Sequence, residues 1–374
     1  MSDDPTTVAV ACQGGGSHTA FTAGALRRFL AAPAGEYDFV AFTGTSGGAL
    51  CALTAWYGLR TADAAAARAA LRDLWTDIEV RGPLDALVNF GVVGTGRLLD
   101  GGFPVPQISP AHNVGARLAQ RRLRCTIERQ VDPATLDDLI AAGGETPPTP
   151  TLLVSAVDAT DGTFEIFTDR PAEADPGPPP ADAATAWIEE RPKPLSVDAV
   201  IASASVPTVF EGVRMPDEPG GPIHEYWDGL FSQNPPIRNL LAGPDRATRK
   251  PDEIWLVRIN PTSQRGDLST LAEIADRRNE LAGSLSLAQE LHFVDRVNDW
   301  IADGVLPRER YKPVTVRELE LDETRLDGAR DLRPASKLDR RSGFIRDLLA
   351  LGERQADDFL ADPAAHRLLG PGDG

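Results

Sequence analysis

The sequence predicts an α/β protein in which a largely parallel sheet is flanked by helices. Three observations lead there. Short β-branched runs alternate with stretches of helical period, apolar strand-like runs lie on either side of each loop-rich segment, and the first two strand-like runs each lead into a glycine cluster. The strand-like runs are "TTVAVAC" from Thr6, "YDFVAFTG" from Tyr37, "TLLVSAVDA" from Thr151 and "DEIWLVRIN" from Asp252. Helical period occupies residues 18–31, 46–58, 61–77 and 269–301. The C-terminal "RRSGFIRDLLALGERQADDFLA" is amphipathic, with Phe344, Ile345, Leu348, Leu349 and Leu351 toward one side. A helix covering the sheet is expected there, with a lipid-touching helix as the alternative.

Proline, glycine and acidic residues gather in 142–151 and 170–184. Both segments carry too little apolar surface to order themselves and read as surface loops. Nothing repeats at a spacing of about 20–50 residues. The 374 residues therefore read as one domain, 1–374.

A net charge of −17 makes the chain repel phosphate backbones and anionic bilayers, so nucleic acid is not an expected partner. Lysine occurs only at Lys193, Lys250, Lys312 and Lys337. Cys12, Cys51 and Cys125 are odd in number and widely spaced, which suggests buried thiols in a reducing compartment. The start "MSDDPTTVAV" has no secretory pattern, and no window of about 18 apolar residues occurs. A soluble, cytoplasmic protein is the expectation.

"GTSGG" fits G-x-S-x-G with Gly44, Ser46 and Gly48, and it is the single match in the chain. Such a turn puts a serine at the apex between strand and helix, where small neighbours leave room for a strained backbone. A glycine-lined turn with a capping serine, without chemistry, is the competing reading. "GGGSHT", with Gly14, Gly15 and Gly16, departs from a dinucleotide fingerprint because Thr19 stands where glycine is required. A P-loop is excluded, since no lysine precedes serine or threonine. Consecutive glycines can instead aim backbone N–H groups into a concavity, as an oxyanion hole requires.

A nucleophilic serine needs a base. In α/β-hydrolase order His292 or His366 would supply it, but His292 lies in an apolar helical pattern and His366 in the tail. Asp-Gly occurs at Asp100, Asp161 and Asp228. Asp161 reads as a hairpin turn and Asp100 as a loop turn. Asp228 follows a strand-like run, so its carboxylate could face Ser46 at a sheet edge.

Three blocks in order, "GGGSHTAFTAGAL", "GTSGGAL" and "YWDGLFSQNPP", the last preceded by "IASASVPTVFEG", make the chain resemble the patatin-like phospholipase family over roughly residues 6–240. The resemblance implies a three-layer α/β/α sandwich with a mostly parallel central sheet. Residues 6–240 would form its core, and 250–362 would add a C-terminal strand and helices. It also implies a Ser46–Asp228 dyad without histidine, with the Gly14–Gly16 amides as oxyanion hole and Gly44, Gly48 and Gly229 as motif support. His18, Thr19 and Leu230 depart from the family pattern, which bears on head-group preference. The implied activity is hydrolysis of a lipid or other acyl ester with no cofactor, and with transient membrane or lipid-droplet contact within reach; no Cys or His pair has metal-ligand spacing, so no metal is expected, while spacing leaves calcium on scattered carboxylates open. A catalytically idle lipid-binding or scaffold protein, and a Ser–His–Asp esterase using His292, are the alternatives. Oligomeric state is not legible.

Overall fold

The computed structural model describes residues 4–33, 35–103, 109–143, 149–170, 192–207, 209–217, 220–242, 250–261, 268–326, 332 and 334–372. Ten strands among them form one sheet: β1 (Thr6–Cys12), β2 (Tyr37–Gly44), β3 (Thr151–Asp158), β4 (Thr163–Thr168), β5 (Lys193–Pro194), β6 (Val213–Pro216), β7 (Ile223–Asp228), β8 (Glu253–Arg258), β9 (Thr315–Glu320) and β10 (Arg367–Leu369). The helices are α1 (Ala20–Phe29), α2 (Gly47–Thr61), α3 (Ala64–Ile78), α4 (Gly82–Asp100), α5 (Val114–Gln130), α6 (Pro133–Ala142), α7 (Val197–Ser203), α8 (Asn239–Ala242), α9 (Leu271–Ala302) and α10 (Ser342–Ala361).

The central strands, in the order β9-β8-β1-β2-β3, are all parallel. Antiparallel pairs occur outside that block, where β10 joins β9 and both β4 and β7 join β3. Parallel neighbours need crossovers over the sheet's faces, which is why β1 reads apolar on both sides. Val8, Val10 and Cys12 belong to a core with α1, α2 and α10, while Ala9 and Ala11 meet Leu287, Leu291 and Val294 of α9 on the other face. The result is helix, sheet and helix in three layers.

Helix α10 buries Phe344, Ile345 and Leu348 in the first core. Its approach to α1 needs glycine, because a Cβ on Gly352 would stand 2.9 Å from the Ala25 nitrogen. This is the covering helix the sequence suggests, and the lipid-touching alternative for this segment falls. Asp161 lies in the β3–β4 hairpin turn, beside Gly162 at φ +74°. Asp100 corrects the loop reading: it is the last residue of α4, and its Oδ2 accepts from the Ala335 amide at 3.2 Å. Of the two expected loops, 144–148 and 171–184 lie outside the described residues.

One feature of the register positions the site. A single edge of β3 serves two strands: β2 pairs with its first half, ending at Gly44↔Val154, and β7 pairs with its second half, ending at Asp228↔Ala156. β2 and β7 run toward each other along that edge. Two residues of strand span roughly 7 Å, so the ends of β2 and β7 are brought to one place.

Candidate active site

At the end of β2 the chain turns sharply into α2, and Ser46 stands at the turn with φ 56° and ψ −129°. It is the one non-glycine residue at positive φ among the described residues. Such a conformation costs about 1–3 kcal/mol and persists only where the surroundings over-determine it. Here they do. A Cβ on Gly44 would lie 2.5 Å from the Gly48 carbonyl oxygen, and one on Gly48 would lie 2.7 Å from that of Gln13. Ser46 N–H donates to Ser203 Oγ at 2.9 Å, fixing the backbone at the apex. The Ser46 hydroxyl makes no cap bond to α2, which argues against the reading of this serine as a helix cap.

Asp228 is fully buried at the end of β7. Its Oδ1 accepts from the Leu230 amide at 2.9 Å, and Oδ2 is buried without a hydrogen bond. Burial pushes the carboxyl up to about 7, and the Ser46 side chain is the one side chain pulling it back toward the charged form. The serine is thus close enough to favour the carboxylate, while Oδ2 has no closed hydrogen bond. Contacts of this kind often tighten only when substrate binds. Gly229 lets the strand end sit tightly, since a Cβ there would stand 2.6 Å from the Ser155 carbonyl oxygen.

The glycine loop follows β1. Gly14 passes directly over the turn: a Cβ there would meet the Thr45 carbonyl oxygen at 2.6 Å and Ser46 Cβ at 2.8 Å. Two asparagines hold it. Gly14 N–H donates to Asn234 Oδ1 at 2.6 Å, and Asn260 Nδ2 donates to the Gly14 carbonyl at 2.8 Å. Of the Gly14–Gly16 amides expected to form an oxyanion hole, that of Gly14 already donates to Asn234. Gly15 and Gly16 have no acceptor among the described residues. The anchoring extends outward: Thr45 Oγ1 and Ser155 Oγ both donate to the Gln233 carbonyl, at 2.7 and 2.8 Å. Loop 229–236 is thus tied to the end of β2 and to the middle of β3.

Histidines stand elsewhere. His292 is exposed on α9, and His366 contacts Phe359 and the Glu318 carbonyl. His18 is buried beside Phe344 and bonded to Ser336 Oγ at 2.8 Å, and burial lowers it to about 3, so it brings no positive charge to the glycine loop. Among the described residues no histidine hydrogen-bonds Ser46 or Asp228.

Ser203, Asn234 and Asn260 are absent from the sequence-derived candidates. Ser203 and Asn234 lie inside blocks that the resemblance singles out, which was the available signal; nothing in the sequence marks Asn260. A second cluster escaped spacing rules: Asp158, Asp217 and His224 place one ligand-type atom each within 4.8 Å of one another. Lys193 Nζ already pairs with Asp217 there, and the His224 ring bonds Asp158 Oδ2 at 2.5 Å.

A family model described as patatin-like phospholipase matches residues 10–241, more than half of the chain. A search of curated protein sequences finds no match. Among solved structures, the chain is similar to VipD from Legionella pneumophila at 12% identity and TM-score 0.40, covering 97% of this chain and 67% of that one. It is also similar to human GIVD cytosolic phospholipase A2 at 11% identity and TM-score 0.44, covering 96% and 59%. A third likeness, to the ExoU–SpcU complex of Pseudomonas aeruginosa, has 14% identity and TM-score 0.28, covering 95% and 76%. The chain thus spans about two thirds of the first of these proteins and less of the second. All three scores lie below 0.5, so the assignment rests on the matched residues. Because the glycine loop, the strained serine turn and the buried aspartate all fall within residues 10–241, the chain belongs to the patatin-like phospholipase family.

Proposed function

We propose that the chain is a serine acyl hydrolase of the phospholipase A or esterase type, with Ser46 as nucleophile and Asp228 as its base. The observation that carries this reading is the shared edge of β3, which brings β2 and β7 end to end and sets a buried carboxyl beside a strained serine. A base is most effective with a pKa near the working pH, and burial raises this one to about 7.

The Asp228 carboxylate takes the Ser46 proton as Oγ bonds to the acyl carbonyl carbon. The carbonyl oxygen becomes an oxyanion facing the Gly15 and Gly16 amides, each donor contributing about 3 kcal/mol. Collapse of the intermediate expels the alcohol, which leaves with the proton from Asp228. Water then attacks the acyl-serine, gives a proton to Asp228, and releases the carboxylic acid as Ser46 recovers its hydrogen. Gly14, clamped by Asn234 and Asn260, holds the loop in register and donates nothing to the oxyanion.

The test is a panel of acyl esters and phospholipids with mass-spectrometric detection of released acid, alongside labelling by a fluorophosphonate. The expected result is acid release and label on Ser46 in the wild type, both lost in Ser46→Ala, with His292→Ala unaffected. Absence of both label and product would favour an idle lipid-binding protein, and loss in His292→Ala would favour a Ser–His–Asp esterase.

A further inference from the structure

Helix α4 is built inside out. Its buried positions are Asn89, Val93 and Asp100, and the polar Asp85, Asn89 and Asp100 point into the protein while Thr95 and Arg97 stay exposed. Asp85 is held by Arg340 at 2.6 Å and by Arg122 at 2.7 Å. Asn89 Oδ1 accepts from the Arg340 amide at 2.9 Å, and its Nδ2 reaches Asp339 at 3.2 Å. The outer face is left to Leu84, Leu87, Val88, Phe90, Val92 and Leu98, with Leu84 at 81%, Phe90 at 74% and Leu87 at 68% exposure. Phe103 continues it just past the helix end. Exposed apolar side chains ordinarily stand singly on a protein surface, whereas these seven follow one another along one helix and its end.

Helix α4 is one element removed from the Ser46 site. α4 packs against the 334–338 turn, whose Lys337 carbonyl abuts Gly16, and against α9, whose Gly283 meets Leu230 and Asn234.

We propose that the outer face of α4 docks on a neutral or zwitterionic lipid surface. Its purpose, though not its test, rests on the acyl-hydrolase reading. Two observations select the occupant. From Gly82 to Thr95 the exposed positions are apolar or glycine, Thr95 excepted. A specific protein interface carries about one hydrogen bond per 100–200 Å², which this face cannot supply, whereas an acyl layer asks for none. The net charge of −17 and the lack of any exposed basic stripe between Arg81 and Arg97 select against an anionic bilayer. Among the described residues no helix is long and apolar enough to cross a membrane, so α4 would lie in the interface plane.

The experiment is flotation with phosphatidylcholine vesicles, using full-length Ser46→Ala protein so that binding is read apart from hydrolysis. The intact α4 face should float with the vesicles, insensitively to salt, and partition more weakly onto phosphatidylserine vesicles. Leu87→Ser with Phe90→Ser should reduce partitioning at least tenfold. In an otherwise wild-type background the same pair should leave circular dichroism and hydrolysis of a short soluble ester within twofold. Leu84→Ser with Val88→Ser, on the same face, should act alike. Failure of the intact protein to float, equal flotation of both double variants, or preference for anionic vesicles would overturn the proposal. So would a dimer on gel filtration that Leu87→Ser with Phe90→Ser converts to monomer, since a second copy would then cover the face. Flotation without ester hydrolysis would uphold docking and sink the hydrolase reading; hydrolysis without flotation would do the reverse.

Discussion

Helices α2 and α4 differ in what their surroundings ask of them. α2 is buried along almost its whole length, and its first turn is fixed by glycine contacts to β1 and β2. α4 buries three residues and turns its apolar side outward. Burial on all sides makes α2 a rigid platform that can hold Ser46 in a conformation costing about 1–3 kcal/mol. The outward leucines and phenylalanine of α4 contribute little to folding, because they lie equally in water before and after it. Strain is stored where packing is dense, and apolar surface is left open where packing is absent.

Changes at the platform should therefore be severe and those on α4 mild. The largest effect is expected from Ser46→Ala and Asp228→Asn, each lowering kcat for a soluble ester on the order of 10⁴-fold or more with the fold intact, read by hydrolysis and circular dichroism. Next, Gly48→Ala should lower stability by about 1–3 kcal/mol or more, because the added Cβ meets backbone that cannot retreat. Thermal melts check this. Ser203→Ala leaves the buried Ser46 amide without its acceptor, costing about 1–3 kcal/mol and slowing hydrolysis through a lower kcat with KM little changed. The α4 double variants should shift Tm least of all.

A pH effect sharpens the same contrast. Asp228 has a folded pKa of about 7 against 3.8 for an ordinary aspartate, so the native state holds the proton more tightly than the unfolded chain. Stability from this group is full below pH about 4 and declines as pH rises toward about 7. Asp228→Asn should thus match the wild type near pH 4 and melt higher above pH 7. Glu290, also raised to about 7 by burial, remains in both proteins and cancels in the comparison.

Much of the fold was legible because the central strands are buried on both faces and read as continuous apolar runs. The G-x-S-x-G turn and the glycine loop were legible for a steric reason, since backbone contacts under 3 Å tolerate no side chain. What the sequence did not show depends on long-range pairing. Asn234 and Gly14 are 220 residues apart, and only the folded chain reveals that the asparagine occupies the amide expected for the oxyanion. α4 escaped similarly: a stripe at Asp85, Asn89 and Val93 does not say which side faces the protein, and the inward choice is made by Arg122, Asp339 and Arg340.

The most direct measurement of the central claim is the rate of fluorophosphonate labelling of Ser46 as a function of pH, in the wild type and in Asp228→Asn. A buried carboxylate acting as base predicts a rate that rises through a single ionisation near pH 7 and is nearly abolished in the variant. A rate independent of pH, or a variant that labels as fast as the wild type, would contradict it.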